Sequence, residues 1–366
     1  MKLRDRIKYI VPSRILGLQP YKVEASENFV KLDAMENPHE LSDALQKKWA
    51  KLLMEVVVNR YPDSTCSLLK NRLRPLMELD DSIDMLFGNG SDEIINLLCL
   101  VASGGAGGAV LFPEPTFSVY RLSAEVYGLK VIGVPMREDN FSCDLESMLR
   151  VIQAEQPSLI FLASPNNPTG NSVDEDLLVR CCGAADGLVV LDEAYCKFAK
   201  VSRMKLLSSI ENLVIMQTFS KIGFAGIRLG VLFGSVAWID VLNRVRMPYN
   251  INSLTQAAGA FALDHFDEFQ DSIDDIIAER EKMMQFMSKL DSIKVWSSDA
   301  NFILFRSLVM PSSVVYDGLK NHGILIKNMS GGHPALLNCL RVTIGKEGEN
   351  ILFREKLMRV IEQESS

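Results

Sequence analysis

Residues 188–230 read LVVLDEAYCKFAKVSRMKLLSSIENLVIMQTFSKIGFAGIRLG, in which two short apolar runs each lead into polar side chains. The runs, residues 188–191 and 213–216, have the length and composition of buried strands. The first run is followed by Asp192 and Tyr195. The second is followed by two hydroxyls, a lysine and an arginine, namely Thr218, Ser220, Lys221 and Arg228. Polar groups of five kinds therefore follow predicted strand ends.

Strand and helix patterns alternate from about residue 83 to 234, which indicates a parallel sheet covered by helices on both faces. Ligands bind at the carboxyl edge of such a sheet, so these polar groups are expected to converge there. Pyridoxal phosphate is the cofactor that needs this set. It requires an amine for a Schiff base, a carboxylate for its pyridine nitrogen, and a cation with hydroxyls for its phosphate.

Each of the polar residues that follow the two strands can be given one role in binding this cofactor. Lys221 is predicted to form the Schiff base and to act as general base and acid, and Asp192 to hold the ring nitrogen protonated. Tyr195 is predicted to donate to the ring oxygen, and Thr218, Ser220 and Arg228 to bind the phosphate. Taken singly, a solvated lysine and a helix-capping aspartate are the alternatives, but the ordered set favours the cofactor.

The motifs Asp-Glu-Ala-Tyr at 192–195, Ser-Lys at 220–221 and Gly-Ile-Arg-Leu-Gly at 226–230 resemble those of the fold-type-I aminotransferases. More narrowly, the chain is similar to the histidinol-phosphate aminotransferases. The resemblance implies the α/β fold of pyridoxal-phosphate-dependent transferases, with a mostly parallel central sheet in a large domain and a smaller α+β C-terminal domain. It runs from the N-terminal arm to Arg341. We expect an irregular arm over residues 1–26, a large domain over 27–248 and a small domain over 249–366.

The overall composition argues against several partners. The 366 residues carry a net charge of −7 with dispersed positive residues, so nucleic acid and anionic membranes are not expected partners. The N-terminus lacks the apolar region of a signal peptide, and no stretch reaches the length of a membrane span, which predicts a cytoplasmic protein. Seven cysteines without Cys-x-x-Cys spacing and four scattered histidines predict reduced thiols and no metal site.

A second phosphate-binding segment is predicted at residues 88–93, Gly-Asn-Gly-Ser-Asp-Glu, between a strand and a helix. Glycines allow a tight turn, and the free N–H groups at a helix start bind anions. The same six residues occur in the histidinol-phosphate group, so the resemblance assigns the phosphate to Gly90, Ser91 and Asp92. Arg228 follows Lys221 by seven positions, one fewer than in many relatives.

The resemblance also assigns the groups around the cofactor ring. Phe117 takes the place of an aromatic residue that stacks on the pyridine, although many relatives have tyrosine there. Asn167, in the loop Ser-Pro-Asn-Asn-Pro-Thr-Gly at 164–170, is expected to contact the same ring oxygen as Tyr195. Tyr61 is expected to reach the cofactor phosphate of a second subunit, which implies a homodimer. A tyrosine that only packs in a Pro-containing turn is the alternative.

Three residues are assigned to the substrate by the resemblance: Tyr21, Asn37 and Arg341. An arginine in the apolar segment around Arg341 requires a partner, such as a substrate carboxylate or phosphate, or a structural salt bridge. Tyr21 equally suits a packing role. The chain has Asp33 and Met35 where relatives often have asparagine, so polar substrate contacts are not carried over to these two positions.

The reaction implied by the resemblance converts L-histidinol phosphate and 2-oxoglutarate to imidazole acetol phosphate and L-glutamate, a step of histidine biosynthesis. The same fold also suits an aromatic amino acid aminotransferase or a threonine-phosphate decarboxylase. A cofactor-binding transcriptional regulator is a rival of another class. The region before the aminotransferase pattern is too short for an added DNA-binding module, which argues against it.

Overall fold

A computed structural model of the protein describes residues 1–18, 27–105 and 108–364. Its strands are β1 (Val30–Lys31), β2 (Ile83–Asn89), β3 (Ala109–Glu114), β4 (Lys130–Pro135), β5 (Leu159–Ala163), β6 (Leu188–Asp192), β7 (Leu213–Thr218), β8 (Leu229–Ser235), β9 (Ile293–Val295), β10 (Phe302–Ser307), β11 (Ile324–Leu325), β12 (Lys327–Asn328) and β13 (Cys339–Thr343).

Helices precede, separate and follow these strands, and none of those described has the length and apolar character needed to cross a membrane. They are α1 (Leu3–Ile10), α2 (Ser13–Leu16), α3 (Asp43–Glu55), α4 (Ser67–Leu76), α5 (Ser91–Ala102), α6 (Ser118–Tyr127), α7 (Leu145–Glu155), α8 (Glu175–Ala184), α9 (Cys196–Ala199), α10 (Val236–Asn243), α11 (Ser253–Asp264), α12 (Phe266–Met287), α13 (Ser312–Asn321) and α14 (Glu347–Glu364).

A seven-stranded sheet in the order β2-β8-β7-β6-β5-β3-β4 forms the centre of the molecule. Strand β8 is antiparallel to both of its neighbours, β2 and β7, and the other pairings are parallel. Six strands therefore run in one direction and end at one edge of the sheet, while β8 begins there. The predicted α/β fold with a mostly parallel sheet is confirmed.

The central strands are apolar throughout because helices cover both faces of the sheet. Along β5, Ile160 and Leu162 pack in one core, whereas Leu159 and Phe161 pack in the other. Side chains of α5, α6 and α10 form the second core, and those of α4, α7 and α8 contribute to the first. Strands buried on two faces read as continuous hydrophobic runs, which is why their positions could be predicted.

A second, four-stranded antiparallel sheet, β12-β13-β10-β9, lies in the C-terminal third of the chain. The N-terminal segment joins this region, because β1 pairs in parallel with β11 and the Thr343 N–H donates to the Leu32 carbonyl at 2.9 Å. Residues 30–35 thus attach to C-terminal elements. The division into an arm, a large and a small domain stays a prediction.

The expectation of an irregular N-terminal arm is wrong for residues 3–16, where α1 and α2 form. Pro12 and Gly17 interrupt the periodic sequence pattern of this segment, and in the structure they stand at helix boundaries. Pro12 follows the end of α1 and is the N-cap of α2, where its missing N–H costs no helical hydrogen bond. Gly17 is the C-cap of α2.

Candidate active site

The predicted site residues follow strand ends at one edge of the central sheet. Asp192 is the last residue of β6, and Thr218 is the last residue of β7. Lys221 lies on a short 3-10 turn, Phe219–Lys221, directly after β7. Arg228 immediately precedes β8, whose reversed direction brings its start to the same edge.

These side chains surround one cavity, open to solvent, with about 590 Å³ of empty space. The predicted residues on its wall are Ser91, Asp92, Phe117, Asn167, Asp192, Tyr195, Thr218, Ser220, Lys221 and Arg228. Met35, Tyr120 and Ala194 also line it. The structure therefore brings together the amine, carboxylate and guanidinium that the cofactor hypothesis requires.

The amine of Lys221 is held where its charge is unfavourable. Burial lowers the pKa of Lys221 to about 8, and the positive charges of Arg341 and Arg228 act in the same direction. Glu36 and Asp92 oppose this shift. The amine lies over the ring of Tyr195, with Nζ 5.6 Å from the ring centroid. More of the amine is therefore unprotonated near neutral pH than for an ordinary lysine, which favours a role as nucleophile or general base.

The carboxylate of Asp192 is buried and held by two donors. The Tyr120 hydroxyl donates to Oδ2 at 2.5 Å, and the Ala194 N–H donates to Oδ1 at 3.0 Å. Burial raises the pKa of Asp192 to about 6, although both hydrogen bonds favour the charged form. A carboxylate in this environment is suited to hold a proton on a ring nitrogen.

Tyr120 was not identified from the sequence. It lies on α6, and its ring stacks on Phe161 with centroids 4.4 Å apart and contacts the edge of Phe117 at 5.6 Å. Burial, and then the negative charge of Asp192, raise the pKa of Tyr120 well above its usual range. Its position three residues after Phe117 at a helix start was the available signal, because residues i and i+3 share a helix face.

A cationic cradle forms where α5 begins. Gly90 has φ +79°, and a Cβ atom there would lie 2.4 Å from Nη2 of Arg228. Arg228 contacts Asp92 at 3.0 Å and lies 3.5 Å from the Ser220 hydroxyl. The Thr218 hydroxyl donates to Ser220 at 3.0 Å. A guanidinium, hydroxyls and a helix N-terminus together form a binding site for an anion such as phosphate.

Tyr195 contacts one residue of the N-terminal segment and one of the C-terminal sheet. Its hydroxyl donates to Sδ of Met35 at 3.3 Å, and its ring meets Phe302 edge-on with centroids 5.2 Å apart. Met35 has φ +54°. The Met35 N–H donates to Oγ1 of Thr343, and its carbonyl accepts from Nδ2 of Asn301, both at 3.0 Å. Met35 was noted in the sequence only as a departure from relatives.

A second cavity of about 840 Å³ adjoins the first and shares Met35, Phe117 and Asn167 with it. Its wall includes the basic side chains Arg121, Lys327, His333 and Arg341. Arg341 is buried, donating from Nη1 to Oδ1 of Asn167 at 2.5 Å and from Nη2 to the Asp33 carbonyl at 2.7 Å. The second cavity therefore suits the anionic part of a substrate.

Two predicted residues lie elsewhere, and a third is not described. Asn37 is outside the walls of both cavities, and its amide donates to Oγ of Ser272 at 2.9 Å. Tyr61 is 82% exposed and stacks on Tyr249 with centroids 4.6 Å apart, next to a separate surface cavity. Tyr21 falls outside the described residues.

Comparison with known proteins gives one family along nearly the whole chain. Residues 27–356 match the family model of aminotransferase class I and II. The chain is 44% identical over 354 residues to histidinol-phosphate aminotransferase 2 of Nitrosococcus oceani, covering 97% of this chain and 98% of that protein. It is 42% identical over 353 residues to histidinol-phosphate aminotransferase of Chromobacterium violaceum, covering 96% and 98%.

The structure of this chain also resembles a solved crystal structure. The crystal structure of histidinol-phosphate aminotransferase from Sinorhizobium meliloti in complex with pyridoxal-5'-phosphate superimposes with a TM-score of 0.85, covering 97% of this chain and 98% of that chain. The two sequences are 22% identical, so this likeness concerns the fold alone.

Proposed function

The chain belongs to the aminotransferase class I and II family, and from this we propose that it is a pyridoxal-phosphate-dependent histidinol-phosphate aminotransferase. The reaction transfers the amino group of L-histidinol phosphate to 2-oxoglutarate, and it yields imidazole acetol phosphate and L-glutamate. The observation that carries the proposal is the convergence of Asp192, Lys221 and Arg228 on one cavity, in a chain 44% identical to a relative with this name.

The residues present fit pyridoxal phosphate. Arg228 approaches Gly90 so closely that a Cβ there would collide with it, which puts the guanidinium directly at the start of α5, and a buried carboxylate and an amine of lowered pKa face the same cavity. When bound, the cofactor supplies an electrophilic aldehyde and an electron-accepting ring that carries the amino group between the substrates. Gly90, Ser91, Asp92, Thr218, Ser220 and Arg228 would hold its phosphate, and Phe117 its ring.

Lys221 performs the proton transfer. Its Nζ takes the proton from the α-carbon of the amino donor as a general base and returns it as a general acid. A pKa of about 8 suits both directions, because protonated and neutral amine are both populated near neutral pH.

Asp192 keeps a proton on the ring nitrogen, and Tyr120 holds its carboxylate in place through the 2.5 Å hydrogen bond. Tyr195 and Asn167 orient the ring through its oxygen substituent. Each of these groups is fixed by a neighbour, since Tyr195 contacts Met35 and Asn167 accepts from Arg341. Such preorganisation holds the reacting atoms in position during proton transfer.

Arg341 is proposed to bind the glutamate α-carboxylate and the phosphate of histidinol phosphate. Its guanidinium is buried on the wall of the basic second cavity, and its charge reaches the catalytic lysine, whose pKa it lowers. Lys327 on the same wall suits a phosphate group. Tyr21 and Asn37 are retained as proposed substrate contacts from the family resemblance.

The proposed enzyme is a homodimer in which Tyr61 reaches the cofactor phosphate of the partner. Supporting this, Tyr61 lines a surface cavity together with Val58 and Leu254, which are 70% and 45% exposed. Contiguous exposed apolar surface of this kind favours an interface. A cytoplasmic location is proposed with it, because the seven cysteines are free and suit a reducing compartment.

The test compares wild-type protein with Lys221→Ala on a panel of histidinol phosphate, phenylalanine and threonine phosphate. We expect turnover of histidinol phosphate above the other two, and loss of both turnover and cofactor absorbance in Lys221→Ala. The exposed Lys205→Ala is the control and should retain both. Preference for phenylalanine, or decarboxylation of threonine phosphate, would replace the proposed substrate. Binding of duplex DNA without any turnover would favour the regulator.

A further inference from the structure

Two residues that line the cofactor cavity, Met35 and Arg228, have a left-handed backbone, with φ +54° and +53°, and Met35 is the one whose role the proposed function leaves open. Residues with a side chain rarely adopt this region, although asparagine tolerates it. Thr343 and Asn301 fix the Met35 backbone from both sides. Strained backbone persists where the surrounding structure over-determines it, and such positions cluster at functional sites. Met35 is therefore a candidate for a functional role at this cavity.

The contact that this conformation creates is unusual. The hydroxyl of Tyr195 donates to the thioether sulfur of Met35 at 3.3 Å. A thioether is a weak acceptor, so this bond holds the phenol less strongly than an amide or carbonyl oxygen would. The ring of Tyr195 is buried and packs edge-on against Phe302. The ring therefore directs the hydroxyl, and its bond to the Met35 sulfur is a weak one.

We propose that Met35 is a positioning residue for Tyr195, whose sulfur holds the phenol hydroxyl at the cofactor cavity and releases it to the ring oxygen of the arriving cofactor. The inference rests on the proposed function, because that oxygen belongs to pyridoxal phosphate. A weak acceptor keeps the hydroxyl ordered before binding and competes little afterwards. A strong acceptor at the same place would compete with the cofactor for the same proton.

The side chain of residue 35 offers a matched substitution series. Sδ of methionine, Oδ1 of asparagine and Cδ of leucine are all the same number of bonds from the backbone. Met35→Asn therefore replaces a weak acceptor with a strong one, and Met35→Leu replaces it with a methyl group. Asparagine also relieves the left-handed backbone, so its effects on stability and on cofactor binding should oppose each other.

The measurement is the dissociation constant of pyridoxal phosphate for the apoprotein, together with the apoprotein Tm. For Met35→Asn we expect the constant to rise about five- to tenfold, the value of one hydrogen bond, while the Tm increases. For Met35→Leu we expect a smaller rise than for Met35→Asn, because the hydroxyl loses its acceptor but meets no competing one. In a Tyr195→Phe background, the effect of Met35→Asn should vanish, because the competing proton is gone.

Glu78→Asn is the control for the stability gained by placing asparagine in a left-handed backbone. Glu78 is exposed, has φ +51° and lies outside both cavities. It should raise the Tm without changing the dissociation constant. Any one of three results would overturn this inference alone. The dissociation constant of pyridoxal phosphate could be unchanged in Met35→Asn, it could rise equally in Met35→Leu, or its rise could persist in the Tyr195→Phe background. A wild-type apoprotein that does not bind pyridoxal phosphate would overturn the proposed function and, with it, this inference.

Discussion

The buried carboxylate of Asp192 is kept ionisable by a phenol that lies 72 positions away in sequence. Burial raises the pKa of Asp192 to about 6, and the Tyr120 hydrogen bond lowers it. In Tyr120→Phe the carboxylate should therefore take up its proton at higher pH. We expect the acidic limb of kcat/KM against pH to move up by about one pH unit, the value of one hydrogen bond.

Tyr127→Phe, on the same helix, is the matched control for this shift. Both variants remove one hydroxyl from α6, but only Tyr120 donates to Asp192. An acidic limb that stays in place in Tyr120→Phe, or that moves equally in both variants, would contradict the role given to Tyr120.

The amine of Lys221 makes a second pH dependence testable. Because burial lowers its pKa to about 8, the neutral amine is scarce below that pH and predominant above it. The rate at which apoprotein captures pyridoxal phosphate should therefore rise with pH and level off, with a midpoint near 8. Stopped-flow absorbance measures this rate. A midpoint close to that of an ordinary lysine would show that the amine is not perturbed.

The roles of some site residues could be predicted from the sequence, and the roles of others could not. Asp192, Lys221 and Arg228 could be predicted because each stands next to a strand at the same sheet edge. Asp192 ends β6, Lys221 follows β7 and Arg228 precedes β8. Tyr120 and Met35 could not be assigned roles in this way. Their partners lie 72 and 160 positions away, and those contacts depend on how helices and sheets pack.

The turn between β2 and α5 is the element that shapes the phosphate cradle. In Gly90→Ala the new Cβ meets Arg228 at 2.4 Å in a backbone of φ +79°. We expect a loss of about 1–3 kcal/mol in unfolding free energy and a cofactor dissociation constant raised by roughly tenfold or more. Equilibrium denaturation and cofactor titration measure the two effects.

Gly323→Ala separates these two effects. Gly323 has almost the same conformation, φ +78°, but nothing lies within 4 Å of its Cβ position. It should lose stability to a similar degree and bind the cofactor normally. If both variants bind the cofactor equally well, the cradle is not where the phosphate lies.

Elements differed in predictability for physical reasons. Strands β5, β6 and β7 are buried on both faces, so apolar runs predicted their positions well. The reversed direction of β8 could not be read locally, because strand direction follows from the path of the chain. Helix α1 was missed because it is only eight residues long and lacks a side-chain N-cap, and because Pro12 follows it so closely.

The dimer proposed from Tyr61 predicts that two defective chains repair each other. Lys221→Ala and Tyr61→Ala subunits, mixed and allowed to exchange, form heterodimers with one site that carries both defects and one that carries neither. With random pairing at limiting cofactor, activity should recover to about a quarter of wild type. A mixture no more active than its separate components would argue that Tyr61 serves its own subunit.

The parallel pairing of β1 with β11 has a consequence for how the enzyme is made. During translation, residues 30–31 leave the ribosome roughly 290 residues before their partners at 324–325. Asp33 and Met35, which follow directly, also wait for Arg341 and Thr343. One wall of the catalytic cleft therefore closes only after residue 343 has left the ribosome, so loading with the vitamin-derived cofactor is expected after that point and not during synthesis of the central sheet.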